Sequence, residues 1–323
     1  RPVLLWTLVA FIIGNAMIAM APNFTILVIG RILSSAAASL IIVKVLALTA
    51  MLTIPKNRGK MIGVVYTGFS GANVFGVPIG TMIGDTIGWR FTFLFIIIVS
   101  VIAGVLMMVY LPSTSELNQV QRQWGSTSNK QLNTSKILRP AEVVKYLTIT
   151  FLILVANSVT FVYINPLILN HGHQMGFVSL ALLVNGIAGV IGTSLGGILA
   201  DKLSSKRWLI IAFSIFIVMM LIMNLILHTV TLLLIGLFIW NIVQWSTNPA
   251  IQSGMIEHVE GDTSQVMSWN MSSLNAGIGF GGIIGGLVVS NISVQAVTIV
   301  SAMVGAMGLI IVLSLKNMSY MRN

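Results

Sequence analysis

Gly68 to Arg90 reads GFSGANVFGVPIGTMIGDTIGWR, an apolar run that carries Gly68, Gly71, Gly76, Gly80, Gly84 and Pro78. In a water-exposed helix each interior glycine costs about 1 kcal/mol relative to alanine. In lipid the same residues let helix backbones approach closely, and a proline bends the helix by removing one hydrogen bond. The run is partly echoed 202 residues later in NAGIGFGGIIGG, where Asn73, Gly80 and Gly84 meet Asn275, Gly282 and Gly286, while Gly76 and Pro78 meet Ile278 and Phe280. A second echo, at a shift of 206, sets ILVIGRI (Ile26 to Ile32) against LLLIGLF (Leu232 to Phe238). Two echoes at similar spacing describe an internally duplicated membrane protein.

Composition agrees. Of the 323 residues 56% are hydrophobic and only 7% charged, a balance foreign to soluble domains. A bilayer core needs roughly 20 predominantly apolar residues per helix. Ten such spans are expected, at about 3–21, 26–53, 61–84, 91–111, 146–168, 177–199, 208–227, 230–254, 264–290 and 293–315. Barrel strands would be about half as long and strictly alternating, so the fold class is an all-α helical bundle.

The net charge of +10 is distributed along the spans' ends rather than on a soluble basic face. Arg1, Lys56, Arg58, Lys60, Arg122, Lys130, Lys136, Arg139, Lys145, Lys202, Lys206, Arg207, Lys316 and Arg322 fall on one side, against Arg90 alone on the other. The positive-inside rule makes the basic side cytoplasmic, places the C-terminus inside, and removes nucleic acid as a partner. No cysteine is present, which excludes disulfides and thiolate chemistry. His171 and His173 form an HGH tripeptide without clustered carboxylates, which reads as a solvated loop, so no metal and no cofactor are expected. No HExxH, intramembrane carboxylate pair or P-loop is present, which argues against an enzyme or an ATP-driven pump.

The polar stretch Pro112 to Pro140 (STSELNQVQRQWGSTSNKQLNTSK at its centre) reads as a cytoplasmic linker, giving a first membrane unit over 1–111, a linker over 112–142 and a second unit over 143–323. Four spans precede it and six follow. The start at Arg1, without methionine, in front of an apolar span fits a six-plus-six bundle lacking its first two helices.

GANVFGVPIG with GDTIGWRFTF resembles the fifth-helix antiporter motif of the major facilitator superfamily, and specifically its twelve-segment drug:proton antiporters and arabinose-efflux-like permeases. GGILADKLSSKR (Gly196 to Arg207) resembles that family's cytoplasmic loop signature, and GRILSSAAASL from Gly30 its fourth-helix motif. The resemblance implies a proton-coupled, multidrug-type efflux antiporter in the cell membrane that works by alternating access of two halves. It also implies a hinge or seal at Gly71, Gly76, Pro78, Gly80 and Gly84, and a cytoplasmic latch at Gly197, Asp201, Lys206 and Arg207. The glycine run read by itself is equally consistent with plain helix packing, and the loop charges with topology alone.

Arg31 and Lys44 lie inside one span, where a cation costs at least about 2.5–3.5 kcal/mol on insertion scales. At about 1.5 Å per residue Arg31 is some 9 Å from the outer end and Lys44 some 15 Å from the inner end, near the midplane. No Asp or Glu is expected within any span to pair with them. Trp240, Asn241, Gln244, Trp245 and Asn248 make a polar stripe that cannot face lipid cheaply. With Asn157 and Thr160, Asn185, Asn270 and, in the first unit, Tyr66 and Asn73, they are the candidate lining of a substrate cavity of neutral amides, hydroxyls and indoles; interhelical hydrogen bonding is the competing reading. Asp85 and Arg90 flank the turn TIGW as a local pair or cap. Two functions stay open: a monomeric secondary transporter exporting a small drug, sugar or nucleoside-like solute, or a non-transporting sensor; the sequence leaves uptake equally possible.

Overall fold

The computed structural model describes residues 2–52, 61, 65, 68, 71–111, 136–172, 174–260 and 263–316. The chain divides into two compact units, residues 1–132 and 133–323. Both are helical because a lipid-embedded backbone finds hydrogen-bond partners only within itself.

The first unit contains α1 (Pro2–Ala19), α2 (Phe24–Leu52), a π-helical turn (Ala72–Gly76) running directly into α3 (Val77–Thr86), and α4 (Trp89–Tyr110). α1 packs chiefly on α2 and then on α4, and α3 packs on α4. The α1–α2 crossing is made by Gly14 and Gly30, where a Cβ on either would sit 2.9 Å from the other's carbonyl oxygen. The reversal between α3 and α4 falls on Gly88 of TIGW at φ 118°, a conformation closed to ordinary L-residues.

The second unit contains a two-residue strand β1 (Lys136–Ile137), α5 (Pro140–Phe161), the short α6 (Ile164–Leu169), α7 (Met175–Leu203), α8 (Ser205–Ile226), α9 (Val230–Ile256), strand β2 (Val259–Glu260), α10 (Ser264–Asn291) and α11 (Ala296–Leu313). β1 and β2 pair antiparallel, Lys136 opposite Glu260 and Ile137 opposite Val259, tying the residues before α5 to the α9–α10 turn. α9 packs most extensively on α7, α10 and α11 on α5, and α8 on both α9 and α11. Their shared core holds Ile149, Ile153, Phe213, Phe216, Met220 and Trp240, all fully buried.

Glycine fixes two of these contacts. Gly277, Gly281 and Gly285 of α10 lie one turn apart against α5: a Cβ would meet Phe151 O at 2.6 Å, Val155 O at 2.7 Å and Val159 O at 2.8 Å. Gly192 and Gly196 of α7 rest on the backbone of Ile242 and Ser246 of α9. These are close approaches of the kind small residues permit in lipid.

Nine helices among the described residues are long and apolar enough to cross a membrane. Of the ten expected spans, 61–84 falls partly outside the described residues, as does the last residue of 26–53. The boundaries that differ most from expectation are the two ends of α5. α5 begins at Pro140, inside the expected linker, because proline is pre-organised for a first helical position and Glu142 suits the first turn. It stops at Phe161 rather than 168, since Pro166 cannot donate the backbone bond that would continue it. Glu142, and Asp201 near the end of α7, therefore lie inside helices long and apolar enough to span, contrary to the expectation that no span holds an acid.

Candidate functional site

The second unit contains a seam of polar side chains. The Trp240 indole, fully buried, donates Nε1–H to Asn157 Oδ1 at 3.1 Å, joining α9 to α5. Its ring meets Phe161 edge-on with centroids 6.4 Å apart. Asn241 is buried and donates Nδ2–H to Leu237 O of its own helix at 2.7 Å, and Gln244, one turn on, is buried too. Trp240, Asn241 and Asn185, with Phe161, Leu182 and Leu237, line a void of about 10 Å³. That is room for about one water molecule. The amide and indole groups assigned to a solute-facing wall thus lie, in this conformation, within the packing of α5, α7 and α9.

A second polar pair joins α5 to α10, where Thr150 Oγ1 donates to Asn270 Oδ1 at 2.7 Å with both residues buried. Beside it Val144, Leu147, Thr148, Phe151, Ser272 and Ser273 line an open groove of about 390 Å³. This falls in the roughly 300–1,000 Å³ range of small-molecule sites. Thr160 does not act with Asn157: its hydroxyl lies 2.7 Å from Ser301 Oγ and 3.2 Å from Val297 O, facing α11. Sequence periodicity put Ser273 on the Asn270 face of its helix but missed Thr148 and Ser272, which are unremarkable until α5 and α10 are set side by side.

In the first unit Arg31 and Lys44 are exposed on α2 and have no ion-pair or hydrogen-bond partner among the described residues. α2 is 29 residues long. At ~1.5 Å per residue it spans about 43 Å, against a hydrocarbon core of about 30 Å. Counted from Phe24, Lys44 lies about 30 Å along and Arg31 about 10 Å. The midplane position expected for Lys44 holds only if the inner end of α2 is flush with the core; pinned at Phe24, Lys44 reaches the opposite boundary. Tyr66 and the Asn73 side chain lie outside the described residues.

The glycine–proline run contains a π-turn over Ala72–Gly76 followed by Pro78, which is buried in the first turn of α3. The Val77 N–H bonds to Ala72 O, one residue further back than in an α-helix, and such turns mark bends. A Cβ at Gly71 would meet nothing within 4 Å and one at Gly76 only Ala72, whereas Gly80 and Gly84 face Thr92 of α4 at 3.3 and 3.5 Å. Thr92 Oγ1 also donates to Gly80 O at 3.1 Å. Gly80 and Gly84 thus seat α3 on α4. Arg90 does not pair with Asp85: its guanidinium donates to Ala21 O at 3.2 Å and stacks 4.5 Å above the Trp89 ring.

At the basic end, Asp201 and Arg207 are exposed, and a Cβ at Gly197 would meet nothing within 4 Å. Lys206, grouped with them from the sequence, instead donates Nζ–H to Leu313 O at 3.0 Å and to Leu315 O, capping the last turn of α11. Lys145 caps the same turn through Ser314 O at 2.8 Å and pairs with Glu142 at 2.9 Å. Glu142 Oε2 accepts the Lys316 N–H at 3.1 Å. Close by, His258 is buried with Nδ1 unpartnered, and burial holds its pKa below the ordinary imidazole value. Apart from the Glu142–Lys145 pair, three residues apart on one helix, these partners were illegible because they join residues far apart in the chain.

Helices, apolar faces and polar seams together define a multi-pass α-helical membrane protein. The family description "Major Facilitator Superfamily" matches residues 1–264, and the chain belongs to that superfamily of membrane transporters. It is similar to the uncharacterized MFS-type transporter YbcL of Bacillus subtilis, at 29% identity over 96% of this chain and 77% of the relative. It is similar also to the inner membrane transport protein YdhP of Escherichia coli, at 26% identity over 97% of this chain and 78% of the relative. A probable sugar efflux transporter of Helicobacter pylori strain J99 is 27% identical over 96% of this chain and 76% of its own length.

Proposed function

We propose that this transporter exports a small, uncharged polar organic solute, of the sugar or nucleoside-like kind or an amphipathic drug, across the cell membrane by alternating access, with protons moving inward in exchange. The observation that carries the reading is the α5–α10 groove, which is lined by Thr148, Ser272 and Ser273 together with Phe151 and Leu147. Hydroxyl and apolar surface together suit a solute with a polar rim and a flat apolar face, and the groove offers no fixed charge for an ion. The sugar-efflux name of the Helicobacter pylori relative agrees with that chemistry and with outward transport. Asn157, Asn185, Trp240, Asn241, Gln244 and Asn270 serve as a polar reserve that repacks as the unit changes conformation, with Trp240 bonded to Asn157 and Asn270 to Thr150 in the present one. Lys44 and Arg31, exposed on α2 of the first unit, contribute to turnover, and Asp201 with Arg207 serves as the latch on the basic side.

The test is flux of a panel of dyes, sugars and nucleosides in proteoliposomes under an imposed pH gradient. Saturable flux that responds to the gradient is expected, with KM raised by Thr148→Val and by Ser273→Ala, and turnover lowered more by Lys44→Ala than by Arg31→Ala. Solute binding without flux across the whole panel would replace this reading with that of a sensor.

A further inference from the structure

The end of the second unit opposite the basic loops brings together two histidines that are distant in sequence. His171 lies in the turn between α6 and α7, His228 in the turn between α8 and α9, and their ring centroids are 5.0 Å apart at an interplanar angle of 71°. Both are held by anchored backbone. Leu167 and Ile168, in the turn before His171, are fully buried, and the His171 and Gly172 amides close that turn onto Ile168 O and Leu169 O at 3.2 and 3.0 Å. Leu227, next to His228, is fully buried too, and the Thr229 amide bonds to Ile226 O at 3.1 Å.

The His171 ring is also oriented. Its Nδ1 lies 2.9 Å from Leu167 O, where Nδ1–H donates and the Nε2 lone pair is left free. A backbone carbonyl on the remote nitrogen is the usual arrangement behind a metal-bound imidazole, fixing its tautomer and raising its basicity. His228 is exposed, with no hydrogen bond to either ring nitrogen among the described residues.

We propose that His171 and His228 bind a divalent transition-metal ion of the zinc class at this end of the protein. With metal–nitrogen bonds of about 2.0–2.1 Å, each ring centroid lies about 3.2 Å from the metal. Two rings at ligand angles between about 90° and 109° then stand about 4.5–5.2 Å apart, which brackets the observed 5.0 Å. Imidazole ligation selects zinc, copper or nickel over the hard oxygen-seeking cations. Among the described residues the pair has no third His, Cys, Asp or Glu beside it, and the exposed His228 makes the site an open, exchangeable one. A bound ion would staple the α6–α7 turn to the α8–α9 turn.

Cobalt(II), a zinc substitute with visible absorption, is the probe, titrated into the full chain in detergent after removal of any histidine tag. One cobalt per chain with a perturbed visible band, weak if waters fill a six-coordinate shell, is expected, together with a zinc-dependent rise in melting temperature. His228→Gln should weaken binding at least tenfold and abolish the zinc shift. This residue is exposed and unbonded, so the variant remains folded; His171→Gln should do the same to the cobalt band. Wild-type protein that shows no band and no shift at ~1 mM free metal, or a His228→Gln protein that binds as tightly as wild type, overturns the proposal.

Discussion

Placing a methyl group on Gly281 measures the α5–α10 contact directly. A Cβ there would lie 2.7 Å from Val155 O and 2.6 Å from Ser158 Cβ, against 3.4 Å or more for ordinary contact, so α10 must retreat by about 0.7 Å. Gly277 and Gly285 rest on the same helix one turn away on either side, and a retreat at Gly281 opens gaps at both. Overpacking of this kind costs about 1–3 kcal/mol. Alanine also gains about 1 kcal/mol of helix propensity over glycine, which obscures the contact if Gly281→Ala is measured alone. Gly279 is the control, since it lies on the same helix with nothing within 4 Å of its Cβ position. The propensity gain cancels between the two variants, so Gly281→Ala should be less stable than Gly279→Ala by about 1–3 kcal/mol in a reversible SDS titration followed by tryptophan fluorescence. Adding Ser158→Gly should recover only part of the loss, because the Val155 carbonyl remains. Equal stability of the two single variants would refute the backbone-contact argument.

Three further outcomes follow from polar contacts. Asn157→Leu strands the buried Trp240 N–H and should cost about 1–3 kcal/mol, whereas Asn157→Leu with Trp240→Phe, which removes both partners, should recover most of it; thermal unfolding of the two variants checks this. His258, held neutral by burial, should make stability fall with pH: below about 6.5 the unfolded chain takes up a proton that the folded chain refuses, so melting temperature drops until the lowered folded value is passed. His258→Gln should flatten that slope, and an unchanged pH profile would remove His258 as its source. Lys206→Met should uncap α11 at a cost of about 0.3–1 kcal/mol, read as a roughly two- to fivefold faster amide exchange at Ser314 and Leu315, with Lys206→Arg close to wild type.

Apolar spans were legible because span length is local: a stretch of roughly 20 apolar residues states its own geometry. Rotation about each helix axis was not. The echo between halves picked out Gly282 and Gly286, whereas the stripe on α5 is Gly277, Gly281 and Gly285. Residues shared between halves need not be those in contact, and a helix apolar all round carries no stripe to show which face is buried. The polar residues of α9 were found by their cost in lipid, and the cost was settled inside the unit: Trp240 with Asn157, Asn241 with its own helix. Glu142 escaped notice because hydropathy places helix ends at the first apolar residue, whereas Pro140 starts this one earlier. The glycine–proline run announced a departure from regular α-helix, and a π-turn lies at Ala72–Gly76.

The two lysines on the last turn of α11 have a history set by the order of synthesis. Lys145 and Lys206 are made with α5 and α8, well before the carbonyls of Leu313, Ser314 and Leu315 exist. While α5 and α8 enter the bilayer neither ammonium yet has these carbonyls, Lys145 having only Glu142 on its own helix, and cations near helix ends resist translocation and so orient the segments that carry them. Only when α11 arrives do they turn inward and become its cap. The same two side chains thus serve first as topological signals for insertion and afterwards as the fastening of the finished bundle.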